Sequence, residues 1–406
     1  MLRSILRLSA VTLVAIILVG TAFLGGFATS RVLFPPVVPP DGGAPADWKP
    51  YFGVFWEAWN YVHQDFYKPT IDDGALVNGA VGGMVAALGD PHTAFVDAQQ
   101  AAINDSSLSG SFEGIGATVE MREGRLTVVA PIKDSPAEKA GLKPDDVIQK
   151  VNDTIIQNMD VNQAVSLIRG PKGSTVTLQV QRAKQPVFTV SIVRDTIRTP
   201  FVESHMIEGT TIAYVRLNDF GATAPDELNA ALVQLMAQHP TGLVFDLRQD
   251  PGGYLNAAID IASEFIKGGQ TVLIEREKDG TTHKFQANRG GVATDIPMVL
   301  LIDKGSASAS EIVAGALKDY KRATVIGETS YGKGSVQNVH TLSDKSQLRV
   351  TIAHFFSPLD HEINDVGIKP DIEVPLTDAD VAAQRDPQLD KAVEVLKAQT
   401  SGTATK

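Results

Sequence analysis

Apolar residues change their spacing several times along the chain, and each change predicts a different kind of element. Residues 8–27 are mostly apolar and carry no charge, a length that crosses a bilayer as one helix. Phe52, Phe55, Trp56 and Trp59 then recur at helical spacing, and a second helical pattern covers 73–88. Gly89-Asp90-Pro91-His92-Thr93 stops it. Between 108 and 195 short strand-like runs (115–121, 126–131, 147–151, 175–182, 187–193) surround two short helical patterns at 136–140 and 162–168. After that, strands at 211–217, 242–247, 297–303 and 323–326 alternate with helices at 225–238, 254–266 and 311–320. Strands at 335–342 and 347–356 follow, then a helical pattern at 378–398 and a polar tail, 399–406, that reads as disordered.

These textures divide the chain into a targeting segment (1–30), a Pro/Gly linker (31–50), a helical region (51–107), a small β-domain (108–195), an α/β core (196–375) and a C-terminal helix and tail (376–406). The fold class is α/β (α+β mixed) and multidomain. Arg3 and Arg7 precede the apolar run, which keeps the N-terminus inside and exports the rest. Ala28-Thr29-Ser30 has the small residues of a signal cleavage site, but the run is long for a cleaved signal, so an uncleaved anchor is favoured.

Composition narrows the chemistry. A formal net charge of −11 argues against a nucleic-acid partner. The chain has no cysteine, and its 8 histidines show no pair at metal-ligand spacing. No metal or cofactor is expected.

The candidate chemistry lies in 305–337. Ser306, Ser308 and Ser310 alternate where a strand turns into a helix. Free N–H groups and the positive dipole end of a helix stabilise negative charge developing there. Lys333 stands between two glycines, which lets it approach other backbone; if desolvated, its neutral amine is a general base. The plainer reading is a capping box, Ser308-x-x-Glu311, with an ordinary turn lysine. Gly327-x-x-x-x-Gly332-Lys333 has the spacing of a phosphate-binding loop, but Gly334 stands where a Ser or Thr is needed and a strand follows, so nucleotide binding is rejected.

This stretch resembles the active-site region of the carboxyl-terminal processing peptidases. The resemblance implies a protease core of the crotonase-like type, with Ser308 as nucleophile, Lys333 as base and Gln337 as the residue that orients the lysine. A second strand–turn–helix, Asp246-Leu247-Arg248-Gln249-Asp250-Pro251-Gly252-Gly253, is similar to the family's D-L-R-x-N-P-G-G. It implies an oxyanion hole built from the amide of Gly252 or Gly253 together with that of Ala309. Asp250 replaces the usual asparagine and is expected to point away from the site. Val366-Gly367-Ile368-Lys369-Pro370-Asp371-Ile372 also looks like the family, whereas Asp360-His361-Glu362-Ile363-Asn364 departs from it.

Residues 135–148 resemble a PDZ domain. Gly114-Ile115-Gly116-Ala117 matches its carboxylate-binding loop, which implies capture of a free C-terminus on backbone N–H groups. The expected partners are therefore protein or peptide substrates with a free C-terminus, the membrane through the N-terminal segment, and a second copy through the helical region. The reaction expected is peptide hydrolysis without a cofactor. The rivals are a membrane-tethered PDZ scaffold with an inert core, and a Ser–His–Asp hydrolase using His340 or His354.

Overall fold

The computed structural model describes residues 49–68 and 70–403, so the segment expected to enter the membrane lies outside the described residues. Among the described residues no helix is long and apolar enough to cross a bilayer. They form two units that divide after Leu76, each taken by itself. The first contains helix α1 (Lys49–Asp65) and the start of α2 (Asp73–Ala86). On α1, Phe52 and Trp56 are exposed rather than packed into a core. His63 Nε2 donates to Asp73 Oδ1 at 2.7 Å.

The second unit continues α2 and then shows an element the sequence did not suggest. Strand β1 (Ala94–Val96) lies inside the stretch read as helical, followed by α3 (Ala98–Leu108). The turn at Asp90 explains it. Its carboxylate accepts from His92 N (3.0 Å), Thr93 N (3.2 Å) and Thr93 Oγ1 (2.5 Å). Thr93 in turn accepts from the backbone N–H of Thr351. These bonds outweigh burial and hold the Asp90 carboxyl at about 2.

Strand β2 (Ser111–Gly114) opens the small β-domain. It continues with β3 (Ala117–Arg122), β4 (Arg125–Pro131), α4 (Pro136–Lys139), β5 (Val147–Val151), β6 (Thr154–Ile155), α5 (Val161–Ile168), β7 (Thr175–Gln181), β8 (Phe188–Val193) and β9 (Asp195–Arg198). Strands β3-β4-β5-β7-β8 form an antiparallel sheet around a core that includes Leu126, Val128, Ile148, Val176 and Leu178. Strands β2 and β9 pair with each other, Ser111 opposite Arg198, so the two ends of the domain leave side by side.

The core follows: β10 (Val202–Met206), β11 (Ile212–Leu217), α6 (Ala224–Met236), β12 (Gly242–Asp246), α7 (Leu255–Ser263), β13 (Thr271–Glu277), β14 (Thr282–Gln286), β15 (Met298–Ile302), α8 (Ala309–Asp319), β16 (Thr324–Gly327), β17 (Ser335–Thr341), β18 (Gln347–Phe356) and β19 (Ile372–Glu373). Its sheet has the order β10-β11-β12-β15-β16-β19, parallel from β11 onward. Every residue of β12 and β15 is buried, as expected for parallel strands covered on both faces. Helices α6, α7 and α8 pack on one face. The other face is covered by a long helix α10 (Pro387–Thr403), through Ala392 and Leu396, which follows a short helix α9 (Asp378–Ala382). The single helix expected at 378–398 is thus split, because Pro387 starts a new helix. That helix also runs to Thr403, through residues read as a tail. A second sheet joins β1, β17 and β13 to β18, with β14 on β13.

One buried ion-pair network fixes the end of β12. Arg248 binds the Asp246 carboxylate through Nε and Nη2 (3.0 and 2.6 Å) and Asp386 through Nη1 and Nη2 (2.9 and 2.8 Å). Tyr214 Oη donates to Asp246 at 2.7 Å. Breaking a buried pair leaves an uncompensated charge. Arg248→Met is expected to lower stability by about 3–5 kcal/mol in denaturant unfolding, the scale for such a loss.

Candidate active site

Both predicted strand–turn–helix units lie at the carboxyl ends of neighbouring parallel strands, β12 and β15, where open α/β sheets leave a crevice. A cavity of about 620 Å³ opens there, lined among others by Gly252, Gly253, Ser308, Ala309, Lys333 and Gln337. All three residues of the expected catalytic set therefore face one space. Neither His340 nor His354 is among the residues that line it.

The three serines divide by role. Ser306 is buried, and its hydroxyl donates to the Leu247 carbonyl at 2.8 Å. Ser310 is buried, and its hydroxyl donates to the Asp250 carbonyl at 2.9 Å. Both stitch the serine turn to the end of β12. Ser308 stands at the N-cap of α8 and is the one that lines the cavity. Its backbone takes φ 56° and ψ −112°, a conformation that costs a non-glycine residue about 1–3 kcal/mol unless surrounding bonds impose it.

Glu311 imposes it. This carboxylate is fully buried and accepts from Ser308 N (2.8 Å), Lys333 N (2.9 Å), Gly332 N (2.6 Å) and Ser330 Oγ (2.6 Å). One anion thus holds the backbones of the candidate nucleophile and the candidate base. The sequence showed Glu311 as half of a capping box; its second set of partners, from a segment about twenty residues on, has no local signature. Ser330 also accepts from Ile368 N at 2.7 Å. A Cβ on Gly334 would collide with the backbone of Asn364. The segment that departs from the family pattern therefore buttresses the lysine turn.

Lys333 is half-buried, and its amine titrates below the ordinary lysine range. Burial is the main cause and the Arg349 guanidinium, lining the same cavity, the second; Glu311 opposes both. No hydrogen bond joins Ser308 to Lys333 in this structure. Gln337 donates to Ser335 Oγ at 3.2 Å and not to the lysine, so its expected orienting contact is not formed here.

The glycine turn meets the serine turn directly. A Cβ on Gly252 would lie 2.7 Å from Ala307 O, 2.8 Å from Ala309 N and 2.9 Å from Ser308 Cβ, and its φ is 101°. Only glycine fits. The Gly252 N–H, however, is already taken by Asp250 Oδ1 at 2.9 Å. The N–H groups of Gly253 and Ala309 meet no acceptor among the described residues, which leaves them as the free donors at this mouth. Asp250 is buried and does not line the cavity, as expected, yet it engages one of the two candidate amides.

In the small β-domain the predicted loop is equally tight. A Cβ on Gly116 would lie 2.5 Å from Ser135 Cβ, and Ser135 Oγ donates to Gly116 O at 2.8 Å. Ala137 N donates to the Ile115 carbonyl at 2.8 Å. The domain also touches α3, where Arg169 Nη1 donates to Ser106 Oγ at 2.7 Å. Asn104, Asp105, Ser107 and Leu108 of α3 line the cavity, a wall the sequence did not reveal.

Residues 211–374 match Peptidase family S41, and 127–182 match the PDZ domain. The chain is 39% identical over 322 residues to the carboxy-terminal processing protease CtpA of Bacillus subtilis (strain 168), covering 79% of this chain and 68% of that one. The carboxyl-terminal-processing protease of Synechocystis sp. is 35% identical over 357 residues, covering 85% and 82%. The chain belongs to the carboxyl-terminal processing peptidases of family S41. Its fold is shared with a solved S41-type protein of Bacteroides fragilis NCTC 9343, with a TM-score of 0.51 at 17% identity over 82% of this chain and 91% of that one. It is a serine peptidase with an embedded PDZ domain.

Two outcomes follow from the geometry. Glu311→Gln should lower kcat by about 100-fold, the cost of misplacing reacting groups by about an ångström, with peptide binding by the PDZ domain unchanged in titration calorimetry. With Lys333 as the expected base, turnover should rise with pH as its amine loses a proton. Arg349→Met, by removing a cation that favours the neutral amine, should move that rise to higher pH in a pH–rate profile.

Proposed function

We propose that the peptidase is exported, held to the outer face of the membrane by residues 8–27, and cleaves proteins near their C-terminus with a Ser308–Lys333 dyad. The observation that carries this reading is the shared carboxylate of Glu311, which ties both residues to one cavity. Neutral Lys333 takes the Ser308 proton as Oγ attacks the scissile carbonyl. The oxyanion formed is held by the N–H groups of Ala309 and Gly253, with Gly252 supplying the close approach. The C–N bond then breaks, and the leaving amine takes the proton from Lys333. Water, deprotonated by Lys333, hydrolyses the acyl-enzyme, and the proton returns to Ser308. A movement of the Lys333 side chain, whose backbone N–H is held by Glu311, brings the amine to Oγ; Gln337 then orients it.

Recognition falls to the PDZ loop at Gly114, Ile115, Gly116 and Ala117, which takes the substrate's terminal carboxylate. Arg169 and Ser106 connect this domain to the cavity wall, so docking and access are linked. The exposed aromatic residues of α1 are suited to a second copy of the chain.

Mass spectrometry of an unstructured protein incubated with the peptidase tests the chemistry. Ser308→Ala should abolish Ser308-dependent fragments, and Lys333→Arg should do the same because guanidinium stays protonated. Equal fragments from wild type and Ser308→Ala would refute the dyad. Amidating a substrate's C-terminus removes the carboxylate and should reduce kcat/KM at least about tenfold, the effect of one lost charge-assisted contact of about 1.4 kcal/mol.

A further inference from the structure

Behind the glycine turn lie two carboxylates that the dyad does not use. Asp250 is fully buried; Oδ1 accepts from Gly252 N, and Oδ2 has no partner. Asp219, between β11 and α6, lines the active-site cavity, and its Oδ1 is buried without a partner. A Cβ on Gly253 would lie 2.9 Å from that same oxygen. The two acids thus flank the Gly252–Gly253 turn, each with one oxygen that water does not reach. Two buried, unpartnered carboxylate oxygens are costly when both groups are ionised and are relieved by a proton.

We propose that Asp219 and Asp250 hold a proton between them behind the oxyanion turn, and that its loss as pH rises sets the alkaline limit of turnover. The pair is a positioning device acting through Gly252 and Gly253. With one proton the pair carries a single negative charge behind the turn instead of two. Fully ionised, it places negative charge behind the donors that must stabilise an oxyanion, and it draws the Gly252 N–H away from the cavity.

The surrounding charges agree with this. Arg216 on β11 is the neighbour of opposite sign, but its guanidinium is spent on Asn218 Oδ1 (2.9 Å) and the Arg248 carbonyl (3.4 Å). Ser310 on α8 donates to the Asp250 backbone carbonyl. Glu311, on the same helix, is satisfied by its own four donors, and Lys333 stands across the cavity. Burial pushes Asp219 up to about 6 and Asp250 well above the usual carboxylate range, the latter helped by the charge of Asp219.

The proposal rests on the dyad reading, so its test has two readouts. The first is kcat for an unstructured peptide across pH 5–10 in wild type, Asp219→Asn, Asp250→Asn and the double variant. Wild type should show a fall at alkaline pH that is absent from the double variant, whose kcat at the alkaline end should be several-fold higher. The second is the thermal midpoint of the same proteins. A carboxyl whose folded pKa is raised contributes stability at low pH that is lost as pH rises through the folded value. The midpoint of Asp250→Asn should therefore gain on wild type by several degrees as pH rises. A constant gap together with superimposable profiles overturns the proposal. A pH-dependent gap with superimposable profiles overturns its link to catalysis. Absence of Ser308-dependent turnover would defeat the dyad while the midpoints still decide on the proton. Asp219→Asn alters a half-buried wall residue, so a single variant remains informative if Asp250→Asn does not fold.

Discussion

A single buried anion governs the site. Glu311 receives four hydrogen bonds from two chain segments that approach from different directions. Charge-assisted bonds of this kind are the strong ones, and an unpaired carboxylate in the same place would be severely penalised. The arrangement is therefore close to all-or-none. Either the serine turn and the lysine turn are both seated, or the charge is stranded. The positive φ of Ser308 is tolerable for the same reason, since its N–H has only one good destination.

The sheet explains why these turns meet. Parallel strands β12 and β15 end side by side, and each passes into a helix on the same face. Ser306 and Ser310 lock the second turn onto the first, and Gly252 removes the side chain that would have kept them apart. The stabilising work is done by backbone and small polar groups rather than by the large apolar side chains that fill the rest of the core.

Much of this was legible beforehand. The alternation of buried strands and helices from 211 to 327 carried strong periodicity, and the run Ser306–Ser310 with Lys333 marked the site. What escaped notice required partners far apart in sequence. Strand β1 is three residues long and exists because β18 offers an edge. The break before α10 follows from Pro387, but its continuation to Thr403 does not follow from a polar run with little periodicity. Asp219 gave no signal, because an aspartate after a strand is ordinary until Gly253 is seen to lie against it. Gln337 shows the converse: its position was readable, whereas its hydrogen bond to Ser335 was not.

The pairing of β2 with β9 brings the entry and exit of the PDZ domain to one short ladder. An insert zipped at its neck in this way can be lengthened, exchanged or reshaped without altering the register of any strand in the catalytic sheet. Ligand preference can then drift over evolutionary time while the catalytic sheet keeps its register, which makes this chain a natural frame for grafting new recognition modules beside an unchanged hydrolytic engine.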